Sequence, residues 1–195
     1  MLTERLKEYH ITLGSVSPRR HELLASLGLT FDSIDPDIPE NAPPDIRPEE
    51  LAVYLAIAKS KAIGTGPGSH DILITADTVV LCDQKVLAKP DGRAEAIEFL
   101  KLLSGKEHLV ITGVCISSIH KTVTFSSETV VTFSQLETEE IEYYVDSYKP
   151  FDKAGAYGIQ EWIGFVATER IEGSYFNVMG MPVNRLYREL KEFIK

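Results

Sequence analysis

Along this chain, short runs of apolar, often β-branched residues alternate with longer segments in which apolar side chains recur every three to four positions. Residues 11–13 predict a first strand. Residues 18–27 then bring Leu23, Leu24 and Leu27 to one side of a helix that Gly28 ends. A short strand is expected at 31–34. It leads into residues 35–44, where Pro36, Pro39, Pro43 and Pro44 exclude regular structure. Arg47-Pro48-Glu49-Glu50 opens a second helix reaching about Ile63, with Leu51, Leu55, Ala58 and Ala62 on one face and Lys59 and Lys61 nearby.

Residues 72–76 are continuously apolar, as in a strand covered on both faces, and they deliver Asp77-Thr78 at their far end. A strand pair joined at Asp83-Gln84 is expected over 79–87. A helix follows at 93–103, carrying Ala96, Ile97, Leu100 and Leu103 and stopped by Ser104-Gly105. Strand-like runs occupy 109–117, 122–125 and 128–136, and a helix over 138–148 has Thr138 as its expected N-cap. The glycine-dense stretch 153–160 reads as a loop, 163–167 as a strand, 173–182 as further loop, and 182–193 as a closing helix. This mixture predicts a mixed α/β fold in one domain over residues 1–195: a sheet with flanking helices, in two lobes around a central cleft.

Composition narrows the function classes. The chain has 195 residues, 44% of them hydrophobic, and a formal net charge of −9. Such an acidic protein lacks the basic face that general nucleic-acid binding requires, so any anion site is local. Cys82 and Cys115 each lie in an apolar run without metal-ligand spacing, which fits buried free thiols in a reducing compartment. No apolar run is long enough to span a bilayer and the first residues do not form a signal peptide. A cytoplasmic protein without a membrane partner is expected.

The candidate chemistry begins at Ser15-Val16-Ser17-Pro18-Arg19-Arg20, between a strand and a helix. Pro18 suits the first helical turn and Ser17 the N-cap, while the helix N-terminus and both guanidiniums could grip a phosphate. An ordinary helix start with two solvated arginines reads equally well from these residues alone. Asp77, after an apolar strand, stands where open α/β folds place their ligands, and could hold a metal, orient water or accept its proton. Glu40 is a candidate second metal-side carboxylate. Lys61 and Lys89 are candidates for phosphate contacts, and Gln160 offers an amide that matches the edge of a nucleobase. The chain has no HExxH, Walker A, Gly-x-Gly-x-x-Gly or Gly-x-Ser-x-Gly pattern.

SVSPRR at 15–20, Lys61-Ala62, Ala76-Asp77-Thr78, Lys89-Pro90, Ser104-Gly105, KAGAYGIQ at 153–160, and Gly173-Ser174-Tyr175 with Gly180-Met181-Pro182 occur together and in order. In that combination the chain resembles the Maf family of nucleotide pyrophosphatases, named for an association with bacterial septum formation. The resemblance implies hydrolysis of a nucleoside triphosphate between its α- and β-phosphates, giving a monophosphate and pyrophosphate, as a house-cleaning activity dependent on a divalent cation (Mg²⁺, Mn²⁺ or Co²⁺). It makes Asp77 the catalytic acidic residue; Asp77 with Glu40 stays the candidate metal-side pair. Arg19, Thr78 and Gln160 become the positions of substrate choice, and Arg20, Lys61 and Lys89 the basic phosphate-binding set, beside which Ser15 and Ser17 of the turn are candidate phosphate contacts. KAGAYGIQ is similar to the branch acting on dTTP and UTP. The implied fold is an elongated twisted mixed sheet with flanking helices, like that of inosine triphosphatases, in a homodimer. Two departures fall late: Glu161-Trp162 follows Gln160 where relatives often have glycine, and Gly180-Met181-Pro182-Val183 replaces the commoner Gly-Leu-Pro-Leu. Two other readings stand beside this one: a nucleotide-sensing regulatory module of cell division, and a phosphatase cutting at the γ-phosphate.

Overall fold

The computed structural model describes residues 1–39, 42–66 and 68–195. In chain order the elements are α1 (Leu2–Leu6), β1 (His10–Gly14), α2 (Pro18–Ser26), β2 (Asp32–Ile34), α3 (Pro48–Ile63), β3 (Asp71–Cys82), β4 (Lys85–Leu87), α4 (Arg93–Leu103), β5 (Glu107–Ser117), β6 (Thr122–Phe133), α5 (Thr138–Tyr148), a 3₁₀ turn (Ala154–Ala156), α6 (Trp162–Ala167), β7 (Thr168–Glu172), α7 (Tyr175–Val178) and α8 (Val183–Phe193). The strands form one mixed sheet in the order β2-β1-β3-β5-β6-β7, with β4 paired to β3. β1 runs parallel to both β2 and β3, whereas the β3–β4 and β6–β7 pairs are antiparallel. The expected mixed α/β class with flanking helices is what the chain adopts.

The chain divides into two compact units. The first comprises 1–77, 112–127 and 180–195, and the second 78–111 and 128–179. In the first unit the buried strand residues include Ile11, Leu13, Ile72, Ile74 and Ile116. There α3 reaches the sheet over Gly113 of β5, where a Cβ would come within 2.3 Å of the Ala52 carbonyl carbon and the Val53 nitrogen. Glycine is what permits that approach.

The second unit has a contiguous apolar core drawn from β3, α4, β6, α5 and the 154–167 segment, with Leu100, Leu103, Phe133, Tyr144 and Ile163 at its centre. Inside it His108 stacks edge-on against Phe133 at 4.8 Å and shares a 2.8 Å hydrogen bond with the Tyr157 hydroxyl. Burial pushes the His108 imidazole down from 6.5 to about 4. The unfolded chain therefore binds a proton near pH 6.5 that the folded chain refuses until about pH 4. Stability from this site is complete above the first value and falls as the pH drops toward the second. Thermal melts between pH 7.5 and 5 are expected to show this slope, and His108→Gln, which keeps a hydrogen-bonding group, to flatten it. An unchanged slope in the variant would assign the acid sensitivity elsewhere.

Several local expectations change, and the loop expected at 173–182 holds the single-turn helix α7. Asp77 does not end a strand: β3 continues through it to Cys82, although the pairing with β1 stops at Gly14 opposite Thr75, two residues earlier. The runs at 122–125 and 128–136 are one strand, β6, with its irregularity between Thr132 and Phe133. Residues 163–167 are helical, because Gly164 donates back to the Glu161 carbonyl at 2.9 Å, and the strand begins at Thr168. A short apolar run does not by itself separate strand from buried helix. Finally, α5 is capped by Glu137 and not Thr138, in a reciprocal capping box with Glu140.

Candidate functional site

β1 ends at Gly14, where a Cβ would lie 2.5 Å from Ile63 Cδ1 and 2.6 Å from Thr75 Cγ2. Only a glycine lets the strand finish there, and the chain then turns through Ser15-Val16-Ser17 into α2. Ser17 occupies the N-cap position with Pro18 in the first turn, but its side chain makes no capping hydrogen bond. Its own N–H instead donates to the buried Ser15 hydroxyl at 3.2 Å. Arg20 Nη1 approaches the same hydroxyl at 3.4 Å and Arg20 Nε donates to the Gly180 carbonyl at 2.9 Å. The guanidinium is thus tethered at two points. Arg19 is half-buried beside it.

His21 was not marked by the motif, yet its Nε2 donates to the Ser15 carbonyl at 2.8 Å and its ring packs edge-on against Phe31 at 5.7 Å. It braces the turn from behind. The signal was its place directly after the two arginines, one helical turn from Ser17.

Asp77 extends from the same end of the β1–β3 parallel pair, two residues beyond Thr75 and so on the same face of the strand. Thr75 Oγ1 donates to the Ala56 carbonyl of α3 at 2.7 Å. One helical turn later, Lys59 Nζ donates to Asp77 Oδ1 in an ion pair whose residues are 7% and 5% exposed. Lys61, expected in the phosphate set, is exposed, whereas Lys59 lies against the carboxylate. Lys59 is a candidate that the motif pattern did not single out.

The second unit holds the remaining candidates. Thr78 is half-buried and, one residue on from Asp77, presents the opposite face of β3. Lys89 is exposed in the turn after β4. Gln160 is half-buried, and its amide oxygen is buried without a hydrogen-bond partner. Other motif patches do structural work. Ser104 Oγ accepts the Leu136 N–H at 2.7 Å and the Gln135 amide at 2.9 Å. Ser174 caps α7, and Asn177 Nδ2 donates to the Val110 carbonyl and to Thr129 Oγ1, both at 3.0 Å.

Glu40 lies outside the described residues. Among the described residues no group of three or more His, Cys, Asp or Glu side chains is arranged to hold a metal ion. Asp77 nonetheless offers a hard oxygen donor, and Mg²⁺ at nucleotide sites is commonly held by one or two carboxylates plus substrate phosphates. The residues present fit an ion that arrives with a nucleotide. The two cysteines are buried free thiols, and no helix among the described residues is long and apolar enough to cross a membrane.

Comparison with known proteins places the chain in a family. A dTTP/UTP pyrophosphatase of Porphyromonas gingivalis (strain ATCC 33277) is 51% identical over 195 residues, covering 98% of each chain. One from Bacteroides fragilis (strain YCH46) is 50% identical over 188 residues, covering 96% of this chain and 97% of its own. The solved structure of the Staphylococcus aureus Ham1 protein aligns with 92% of this chain and 99% of its own, at 16% identity and a TM-score of 0.47, too distant to add to the argument. The model of the Maf-like protein family matches residues 10–193, a span that takes in the tethered clamp, the Asp77 ion pair and the Gln160 loop alike. The chain belongs to the Maf family.

Proposed function

We propose that this chain is a nucleoside triphosphate pyrophosphatase that hydrolyses dTTP and UTP to the monophosphate and pyrophosphate, as a house-cleaning enzyme of the cytoplasm acting as a homodimer. The observation that carries the reading is that the Ser15–Arg20 turn and the buried Asp77 leave the same end of one parallel strand pair. A phosphate-binding turn and a carboxylate so placed are what hydrolysis at a phosphate needs. The names of the relatives in Porphyromonas and Bacteroides support the choice of nucleotides.

In this reading Arg20, held by Ser15 and Gly180, presents a fixed fork to the phosphates, with Arg19, Ser15, Ser17, Lys61 and Lys89 completing the polar and cationic set. Lys59 pairs with the Asp77 carboxylate and fixes its orientation. Asp77 then orients a water toward the α-phosphate and takes its proton. Gln160, with an acceptor already desolvated, matches the N–H of a uracil or thymine edge, and Thr78 contributes to the same selection. Asp77 would hold a divalent cation bound with the triphosphate, and that ion would supply charge neutralisation for the departing pyrophosphate.

Product analysis with dTTP and UTP in the presence of Mg²⁺, Mn²⁺ or Co²⁺ tests this directly. Stoichiometric pyrophosphate and monophosphate are expected. Orthophosphate release would replace the reading with a γ-phosphatase, and tight binding without turnover would replace it with a nucleotide sensor.

A further inference from the structure

The loop carrying Gln160 is braced by three polar side chains of the second unit that hydrolysis itself does not use. Tyr144, on α5, is wholly buried; its oxygen accepts the Gly158 N–H at 3.0 Å and its O–H donates to the Glu161 carboxylate. Burial, and then the hydrogen bond to Glu161, hold this phenol well above its ordinary pKa, so it stays a donor. Behind the carboxylate, the nearly buried Lys153 ammonium lies 3.2 Å from Glu161 Oε1 and donates to Asp152 Oδ1 at 2.7 Å.

The main chain closes the same bracket. The Glu161 N–H donates to the Gly158 carbonyl at 2.9 Å, and the Glu161 carbonyl accepts from Gly164 at 2.9 Å. A Cβ at Gly158 would come 2.8 Å from Glu161 Cδ and displace that carboxylate. Gly164 has to be glycine, since its Cβ would sit 1.8 Å from the Ile159 carbonyl oxygen. Gln160 is therefore fixed on both sides, by Gly158 tied to Tyr144 and by Glu161 tied to Tyr144 and Lys153.

A buried phenol and ammonium closed on a half-buried carboxylate are a costly way merely to hold a loop, because an apolar bracket of the same shape would serve stability as well or better. What the charged bracket adds is orientation. An amide that tells a keto pyrimidine edge from an amino one has to be held within a fraction of an ångström. The Gln160 amide oxygen is buried with no protein partner, an acceptor left for something outside the chain.

We propose that Tyr144, Glu161 and Lys153 are positioning residues that set the Gln160 amide, so that selectivity among pyrimidine nucleotides depends on the phenol–carboxylate pair behind the loop. This rests on the reading that Gln160 contacts the base.

Steady-state kinetics on UTP, dTTP and CTP with Tyr144→Phe, Gln160→Ala and the double variant, each with a thermal melt, tests it. Gln160→Ala is expected to lower the UTP-over-CTP ratio of kcat/KM about tenfold or more. Tyr144→Phe is expected to lower it about three- to tenfold, the loss falling on KM more than on kcat, and the double variant to go no lower than Gln160→Ala alone. Glu161→Gln, which still accepts from the phenol, is expected to retain more of the ratio than Glu161→Ala. If Gln160→Ala leaves the ratio intact, the base-reading role fails and the proposal with it. If Gln160→Ala collapses the ratio but Tyr144→Phe leaves it intact, lowering only the melting temperature or slowing all three nucleotides alike, the positioning role alone is overturned. Additive losses in the double variant overturn it too.

Discussion

Replacing Asp77 with Asn lowers pyrophosphate release by on the order of a hundredfold or more while the chain still folds, as removal of a positioned general base does. The substitution is nearly isosteric and the amide oxygen still accepts from Lys59, so the geometry at the end of the β1–β3 pair is kept. What disappears is the negative charge that, in the proposed mechanism, draws a proton from water. The measurement is continuous pyrophosphate release from dTTP, with circular dichroism and a melt to establish the fold and nucleotide binding at equilibrium to separate affinity from turnover. Binding within a few-fold of the parent and turnover nearly abolished is the expected pattern. Near-normal turnover would remove Asp77 from the chemistry. A parallel loss of binding would make it a phosphate- or metal-side ligand first.

Much of the fold was legible because its long elements carry an unambiguous period. The helix over 93–103 was placed to the residue as α4, and the clamp helix and closing helix within one residue at either end. The losses share a cause: short apolar runs whose state depends on what they touch. Residues 163–167 look like a strand until Gly164 folds back on Ile159, and α7 owes its single turn to the Ser174 cap and a buried Asn177. β3 was divided at Asp77 because a carboxylate in an apolar run reads as an end. In the folded chain the strand passes through it, since Lys59 supplies the counter-charge that lets the carboxylate stay inside.

The site was legible in its anchors but not in its supports. SVSPRR and Asp77 stand out because their residue types are chemically expensive where they occur. His21, Tyr144, Lys153 and Glu161 act through other residues, and no local pattern announces that. Lys59 is the instructive case. It lies seven residues after Ala52 and four after Leu55, both buried, so it falls on the apolar face of α3. Lys61 is two positions on, turned about 200° away toward solvent. A lysine on the buried stripe of an amphipathic helix implies a buried partner, and β3 contains one.

Lys59→Met is accordingly expected to cost about 3–5 kcal/mol, because it leaves the Asp77 carboxylate buried without compensation. For a chain of this size that is a fall of about 10 °C or more in melting temperature. Activity should fall with it, the carboxylate having lost the ammonium that orients it. The double variant Lys59→Met with Asp77→Asn separates the two losses. With both charges gone the penalty for an unpaired ion disappears, so most of the stability returns, while turnover stays at the level of Asp77→Asn alone. Recovery of stability without recovery of activity identifies the pair as chemistry that the first unit accommodates at a cost. If the double variant is no more stable than Lys59→Met, the lysine holds α3 through its apolar stem, and its pairing with Asp77 contributes little to folding.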